Sequence, residues 1–143
     1  MKKGVIDQVF IYIFVIIVIA LVLLFGFKQV TNLKNLSEKT TYTVFREDFK
    51  KAVNDIYYKN EGSAVVFSKI SKNKPLSLPS EIKKVCFENE KVVINSEKYY
   101  NFTVDNLITS VDCINVNNEL SFKLENVVEN REVKIRISDV GTQ

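Results

Sequence analysis

The chain has 143 residues, of which 46% are hydrophobic, and a formal net charge of +3 at neutral pH. Histidine is absent, so the most frequent general base and the most frequent zinc ligand are both missing. The four glycines are scattered and form no phosphate-binding loop. These features argue against an enzyme, and we expect no catalytic residue, metal ligand or cofactor.

The charge is unevenly distributed along the chain. Residues 1–27 carry a net charge of +1, residues 28–60 carry +3 and residues 61–143 carry −1. Lys28 and Lys34 follow the apolar N-terminal segment directly and are placed to meet lipid headgroups. The C-terminal part has no basic excess, so we expect no nucleic-acid partner.

The most apolar segment runs from Val9 to Phe27 and contains no charged residue and no proline. As a helix with about 1.5 Å rise per residue it spans about 28 Å, close to the thickness of the bilayer hydrocarbon. A cleavable secretory signal has an apolar region of about 7 to 15 residues that ends in a small-x-small site. This segment is longer and ends in Phe25-Gly26-Phe27, so the sequence predicts a single transmembrane helix over residues 5–27.

An amphipathic extension of the same helix is predicted over residues 28–61. Neither glycine nor proline occurs from Lys28 to Asn60, and Asn60-Glu61-Gly62 is a typical helix stop. The β-branched run Thr40–Val44 is the weakest part of this helix and a candidate for a bend. Apolar residues recur at helical spacing and predict that the helix continues, with an apolar stripe on its distal half that needs a partner: Val30, Leu33, Leu36, then Phe45, Phe49, Ala52, Val53, Ile56 and Tyr57.

Beyond Gly62 the apolar pattern alternates, which predicts a β-rich head over residues 62–143. A strand is expected from Ala64 to Ile70, followed by a loop that contains Pro75 and Pro79. The other predicted elements are a hairpin of Lys84–Glu88 with Lys91–Asn95, a turn and short strand over Ser96–Phe102, a second hairpin of Val111–Val116 with Glu119–Glu125, and an alternating segment that includes Val133, Ile135 and Ile137.

The helix and the sheet each have an unsatisfied apolar face, and packing one against the other buries both. The predicted fold class is therefore α+β: a long N-terminal helix, first membrane-spanning and then amphipathic, packed on a small antiparallel β-sheet head. One face of the sheet should be buried and the other solvated.

Cys86 and Cys113 both fall in predicted strands of the head. In an oxidising compartment we expect a disulfide between them, and two buried free thiols are the alternative. A disulfide here closes a loop of about 28 residues and contributes on the order of 3 to 4 kcal/mol in the chain-entropy model.

The N-terminus resembles that of type IV pilin-like proteins, in particular the archaeal kind with a short leader. The shared features are a basic leader that ends in glycine, Met1-Lys2-Lys3-Gly4, an apolar helix directly behind it, an amphipathic extension and a C-terminal β domain. The resemblance implies that residues 1–4 are a leader, which a membrane-embedded prepilin peptidase removes by cutting between Gly4 and Val5. It also implies self-association through the N-terminal helix into a filament or pseudopilus.

Two positions differ from the pattern of that family. Bacterial pilins carry glutamate five residues after the cut, where this chain has Val9, and archaeal pilins often begin with glutamine, where this chain has Val5. The nearest acid is Asp7, whose carboxylate is placed to pair with the new α-amino group of a neighbouring subunit. In a plain signal anchor the same Asp7 is an ordinary interfacial residue.

Lysines flank the apolar segment on both sides, so charge alone gives almost no preference for either orientation in the membrane. The leader, the cysteine pair and two N-glycosylation sequons, which begin at Asn35 and Asn101, favour a cytoplasmic N-terminus and an extracytoplasmic head. The expected location is the cell membrane, and the cell surface if the protein assembles. The competing interpretation is a signal-anchored surface protein whose head binds an envelope or extracellular partner.

Overall fold

A computed structural model describes residues 3–95 and 100–140. One helix, α1, extends from Lys3 to Tyr57 and is followed by ten strands. The described residues divide into two compact units, with the boundary between Lys39 and Thr40. The α+β class is confirmed: one long N-terminal helix precedes a head of mainly antiparallel sheets.

Helix α1 is continuous through Thr40–Val44, so the helix does not break there. The helix ends at Tyr57, three residues before the predicted stop at Asn60. Its end is set by Asn126, a residue distant in sequence, because the Asn126 Nδ2 donates hydrogen bonds to the carbonyls of Ile56 and Lys59, both at 3.0 Å, and of Tyr57 at 3.3 Å. The last carbonyls of a helix lack the usual partner four residues on, and here the carbonyl of Ile56 also accepts from the Lys59 N–H at 3.0 Å.

The strands are β1 (Ala64–Phe67), β2 (Leu76–Ser77), β3 (Lys84–Glu88), β4 (Lys91–Asn95), β5 (Tyr100–Thr103), β6 (Leu107–Thr109), β7 (Cys113–Asn115), β8 (Glu119–Leu120), β9 (Phe122–Glu129) and β10 (Glu132–Asp139). The first sheet has the order β1-β9-β10-β6 and the second has the order β5-β4-β3-β7, while β2 and β8 form a separate pair. All pairs are antiparallel except β10 with β6.

The hairpin of β3 with β4 has the predicted bounds and turn. Glu90 in that turn has a φ of 60°, which a tight turn between antiparallel strands requires. The first strand ends at Phe67 rather than at Ile70. The strand predicted over Ser96–Phe102 corresponds to β5, and residues 96–99 lie outside the described part.

The predicted hairpin across Asn117-Asn118 is wrong. The chain does turn there, with Asn118 at a φ of 63°, but the strands on either side take different partners. Strand β7 pairs with β3, β8 pairs with β2, and β9 pairs with β1 and β10. The partners are therefore chosen by tertiary packing and not by the local turn.

The core of the head lies between the last turns of α1 and the inner faces of both sheets. Phe49 is fully buried, and its ring meets those of Phe87, Phe102 and Phe122 at centroid distances of 5.4 to 6.1 Å. Phe45, Val53 and Ile56 extend the same buried stripe along the helix. The distal half of the predicted apolar face thus packs on the sheets as expected.

Burial alternates along the strands, so one face of each sheet is covered and the other is wet. In β9 the inward positions are Phe122, Leu124 and Asn126. Asn126 is the one buried polar side chain among the described residues, at 2% exposure. Its place in the apolar pattern of β9 follows from its role at the end of α1.

Candidate functional site

The apolar segment of α1 is uncovered along its whole length. Every large hydrophobic side chain from Val9 to Phe27 is between 40% and 75% exposed. Over the described residues, this is the one helix long and apolar enough to cross a membrane. A helix that is apolar on all sides cannot be stable in water alone, so length and composition both fit a membrane anchor.

The exposed apolar surface continues past the membrane segment. Val30 and Leu33, in the two turns beyond Phe27, are 66% and 63% exposed. The expected burial of the distal half is seen for Phe45 and Phe49, whereas Val30 and Leu33 are exposed. Exposed apolar side chains on a helix beside a membrane are typical of a contact with another helix.

The N-terminal residues that the leader interpretation singles out lie at the start of α1. The helix begins at Lys3, so the Gly4–Val5 peptide bond falls in its first turn. Glycine disfavours helix by about 1 kcal/mol relative to alanine, so Gly4 lowers the stability of this first turn. Asp7 follows in the next turn and is exposed, and Met1 and Lys2 lie outside the described residues.

The predicted disulfide is present in the structure. Cys86 of β3 and Cys113 of β7 stand directly opposite each other in the antiparallel ladder, with a Sγ–Sγ distance of 2.12 Å. Both residues are half-buried on the outer face of the second sheet. The bond fastens the three-residue edge strand β7 to the interior of that sheet.

The two sequon asparagines are both exposed. Asn35 lies on α1, eight residues beyond Phe27, about 12 Å along the helix axis. Asn101 lies on β5, which is an edge strand of the second sheet. Between the exposed Asn101 and Thr103, the side chain of Phe102 points into the core.

An open groove of about 550 Å³ lies between the last turns of α1 and the segment that follows β5. Its charged lining residues are Glu47, Lys50, Lys51 and Asp105. Carboxylates and ammonium groups alternate here, as on an ordinary solvated surface. Within the described part of the chain, no group of three or more metal-ligating side chains occurs.

Comparison of the chain with protein-family models, curated proteins and solved structures finds no match. The functional interpretation therefore rests on the residues and their geometry. Two features dominate it: the exposed apolar segment of α1 from Val9 to Phe27, and a disulfide-linked β head packed on the distal turns of α1.

Proposed function

We propose that the protein is a single-pass, membrane-anchored, pilin-like structural subunit with an outward-facing β head. The apolar segment of α1 holds it in the membrane before assembly and packs against other copies afterwards. The half-buried disulfide supports an oxidising environment for the head. The partners in this proposal are the membrane, further copies of the chain and a prepilin peptidase.

The observation that carries the proposal is the exposure of Val30 and Leu33 beyond the membrane segment. A simple anchor needs apolar residues only within the hydrocarbon, which Val9 to Phe27 already spans. Apolar side chains in the next two turns gain nothing from water, and they gain about 25 cal/mol per Å² when another helix covers them. Packing between copies buries both segments together.

Removal of the leader is the first test. The intact mass of the protein extracted from membranes should correspond to a chain that begins at Val5. Gly4→Val should keep residues 1–4 and abolish surface filaments in electron micrographs. Gly26→Ala, in the same helix at a site with open space around it, should change neither result. A wild-type chain that retains Gly4 and forms no filament is a plain signal anchor.

Assembly through the exposed stripe is the second test. Leu33→Lys should leave membrane insertion and leader removal intact and should abolish filaments, because a charge is placed where two helices meet. Thr31→Lys adds the same charge about 160° away around the helix, at 100° per residue, and should permit assembly. Equal filament yields from the two variants would show that this face is not an interface.

Asp7 provides the third test. After leader removal its carboxylate pairs with the α-amino group of Val5 on a neighbouring subunit, in a site from which water is largely excluded and where the attraction is stronger than in water. Asp7→Asn should lower filament yield while the cleaved chain still accumulates in the membrane. A yield equal to that of wild type would remove Asp7 from the assembly contact.

A further inference from the structure

The outer face of the second sheet carries a row of four residues that crosses all four strands. The register places Cys113 opposite Cys86, Cys86 opposite Val93, and Val93 opposite Asn101. The cystine and Val93 are half-buried, and Asn101, at the end of the row, is exposed. A small apolar strip therefore ends at an exposed asparagine on an edge strand.

We propose that Asn101 is the acceptor of an N-linked oligosaccharide, and this inference rests on the proposed outward-facing head. Asn101-Phe102-Thr103 is a sequon, and the strand geometry fits its use. Asn101 and Thr103 share the solvated face, whereas Phe102 is anchored in the core at 8% exposure. A sugar on Asn101 therefore extends into solvent without disturbing the packing that holds β5.

The modification is a group transfer from a lipid-linked oligosaccharide donor, catalysed by a membrane oligosaccharyltransferase. A bond forms between Asn101 Nδ2 and the anomeric carbon of the sugar. The bond from that carbon to the lipid phosphate oxygen breaks, the phosphate leaves with the electron pair, and the amide nitrogen loses one proton to a base.

The position also explains what a sugar does there. Strand β5 ends the second sheet, so its outer backbone groups are open to pairing with a strand of another chain. A bulky, hydrated oligosaccharide at the centre of this strand obstructs such pairing. The sugar units nearest Asn101 lie beside Val93 and shield the apolar strip from water.

Translation of the full chain in the presence of microsomes that contain oligosaccharyltransferase tests the inference. The wild-type chain should gain one endoglycosidase-sensitive mass increment. Asn101→Gln and Thr103→Val should lose the increment, and Thr103→Ser, which keeps the hydroxyl, should retain it. Asn35→Gln should have no effect on it. Thr103→Val keeps Asn101 and the β-branched shape of residue 103. Loss of the mass increment in this variant therefore reports failed recognition of the sequon and not a folding defect.

A control sequon separates this inference from the proposed orientation. Glu132→Thr makes Asn130 the first residue of a sequon at the exposed tip between β9 and β10. If Asn130 is modified in this variant and Asn101 is not, the inference is overturned while the orientation stands. If neither asparagine is modified, the head does not reach the lumen, and both proposals are wrong.

Discussion

Asn126 is the residue whose substitution tests the junction between α1 and the sheet most directly. Its side-chain amide donates to three carbonyls at the end of the helix. Its backbone carbonyl accepts from Gly62 at 2.9 Å, and its backbone N–H donates to Ser63 at 2.8 Å. Within the described residues its Oδ1 has no hydrogen-bond partner, so the amide is fixed by its donor side.

Asn126→Ala should lower the free energy of unfolding by about 3 to 5 kcal/mol. The two amide hydrogens contribute about 1 kcal/mol each, and the part-buried carbonyls of Tyr57 and Lys59, which lose this donor, add a further penalty of about 1 to 3 kcal/mol; the carbonyl of Ile56 still accepts from the Lys59 N–H. The variant keeps the backbone hydrogen bonds to Gly62 and Ser63, so the loss reports the side chain alone.

Asn126→Asp should be more damaging than the alanine variant at neutral pH. The carboxylate cannot donate, and it faces carbonyl oxygens at the negative end of the helix dipole. Burial and those oxygens raise the pKa of the introduced carboxyl above the unfolded value of about 3.9. At pH values below about 3.9 the carboxyl is protonated in both states, so the charge penalty is absent. The penalty grows as pH rises from there through the folded pKa. A rise of about 2 pKa units corresponds to about 2.7 kcal/mol at neutral pH.

Urea unfolding of the full chain in detergent micelles measures both variants. The chain has six tyrosines and no tryptophan, so the near-ultraviolet circular dichroism of tyrosine reports the head. Asn115→Asp, at an exposed position of β7, controls for the added charge and should stay within about 0.5 kcal/mol of wild type. If Asn126→Asp matched that control at every pH, the side chain would not face the helix carbonyls.

Three further predictions concern the core, the disulfide and one phenol. Phe49→Ala should lower the free energy of unfolding by about 3 to 5 kcal/mol, because it empties the centre of the aromatic cluster. Val44→Ala, on the exposed side of the helix, is the control and should lower it by less than about 1 kcal/mol in the same urea assay. Replacing both Cys86 and Cys113 by alanine should cost about 3.6 kcal/mol at 25 °C, from their separation of 27 residues, and reducing agent should then have no further effect on the urea midpoint. Burial raises the pKa of the Tyr42 phenol above 10.0; Arg46 opposes this rise and Tyr100 adds to it. The stability of the head should therefore fall as pH rises from 10.0 through the folded pKa. Tyr42→Phe should show a smaller fall in alkaline urea titrations.

The parts of the fold that were predicted correctly are those with local causes. The hairpin of β3 with β4 follows from alternation and a tight turn, and the extension of α1 beyond Phe27 follows from a long run without glycine or proline. The hairpin of β9 with β10 was missed because its turn residues, Asn130 and Arg131, both have positive φ, and arginine is an unusual residue for that conformation. Strands β9 and β10, which form this hairpin, are the longest strands described in the head.

The parts that were mispredicted depend on contacts between distant segments. Nothing near Asn60 indicates that the helix ends earlier, because the donor that ends it is Asn126, 70 residues from the carbonyl of Ile56. An asparagine at an inward position of an alternating strand is the available signal, since buried polar groups are normally hydrogen-bonded. It indicates that a partner exists but does not identify it.

The stabilising interactions of α1 differ along its length. The turns that contain Phe45, Phe49 and Val53 are held by the head, which buries these side chains. The turns from Val9 to Phe27 are stable in a bilayer, where each backbone group must be hydrogen-bonded within the helix. Residues 28–39 have neither source of stability, because their large apolar side chains are exposed to water and short isolated helices are marginal. In the proposed assembly this intermediate segment is the one that gains most from packing against other copies, and for this reason the proposal depends on Val30 and Leu33.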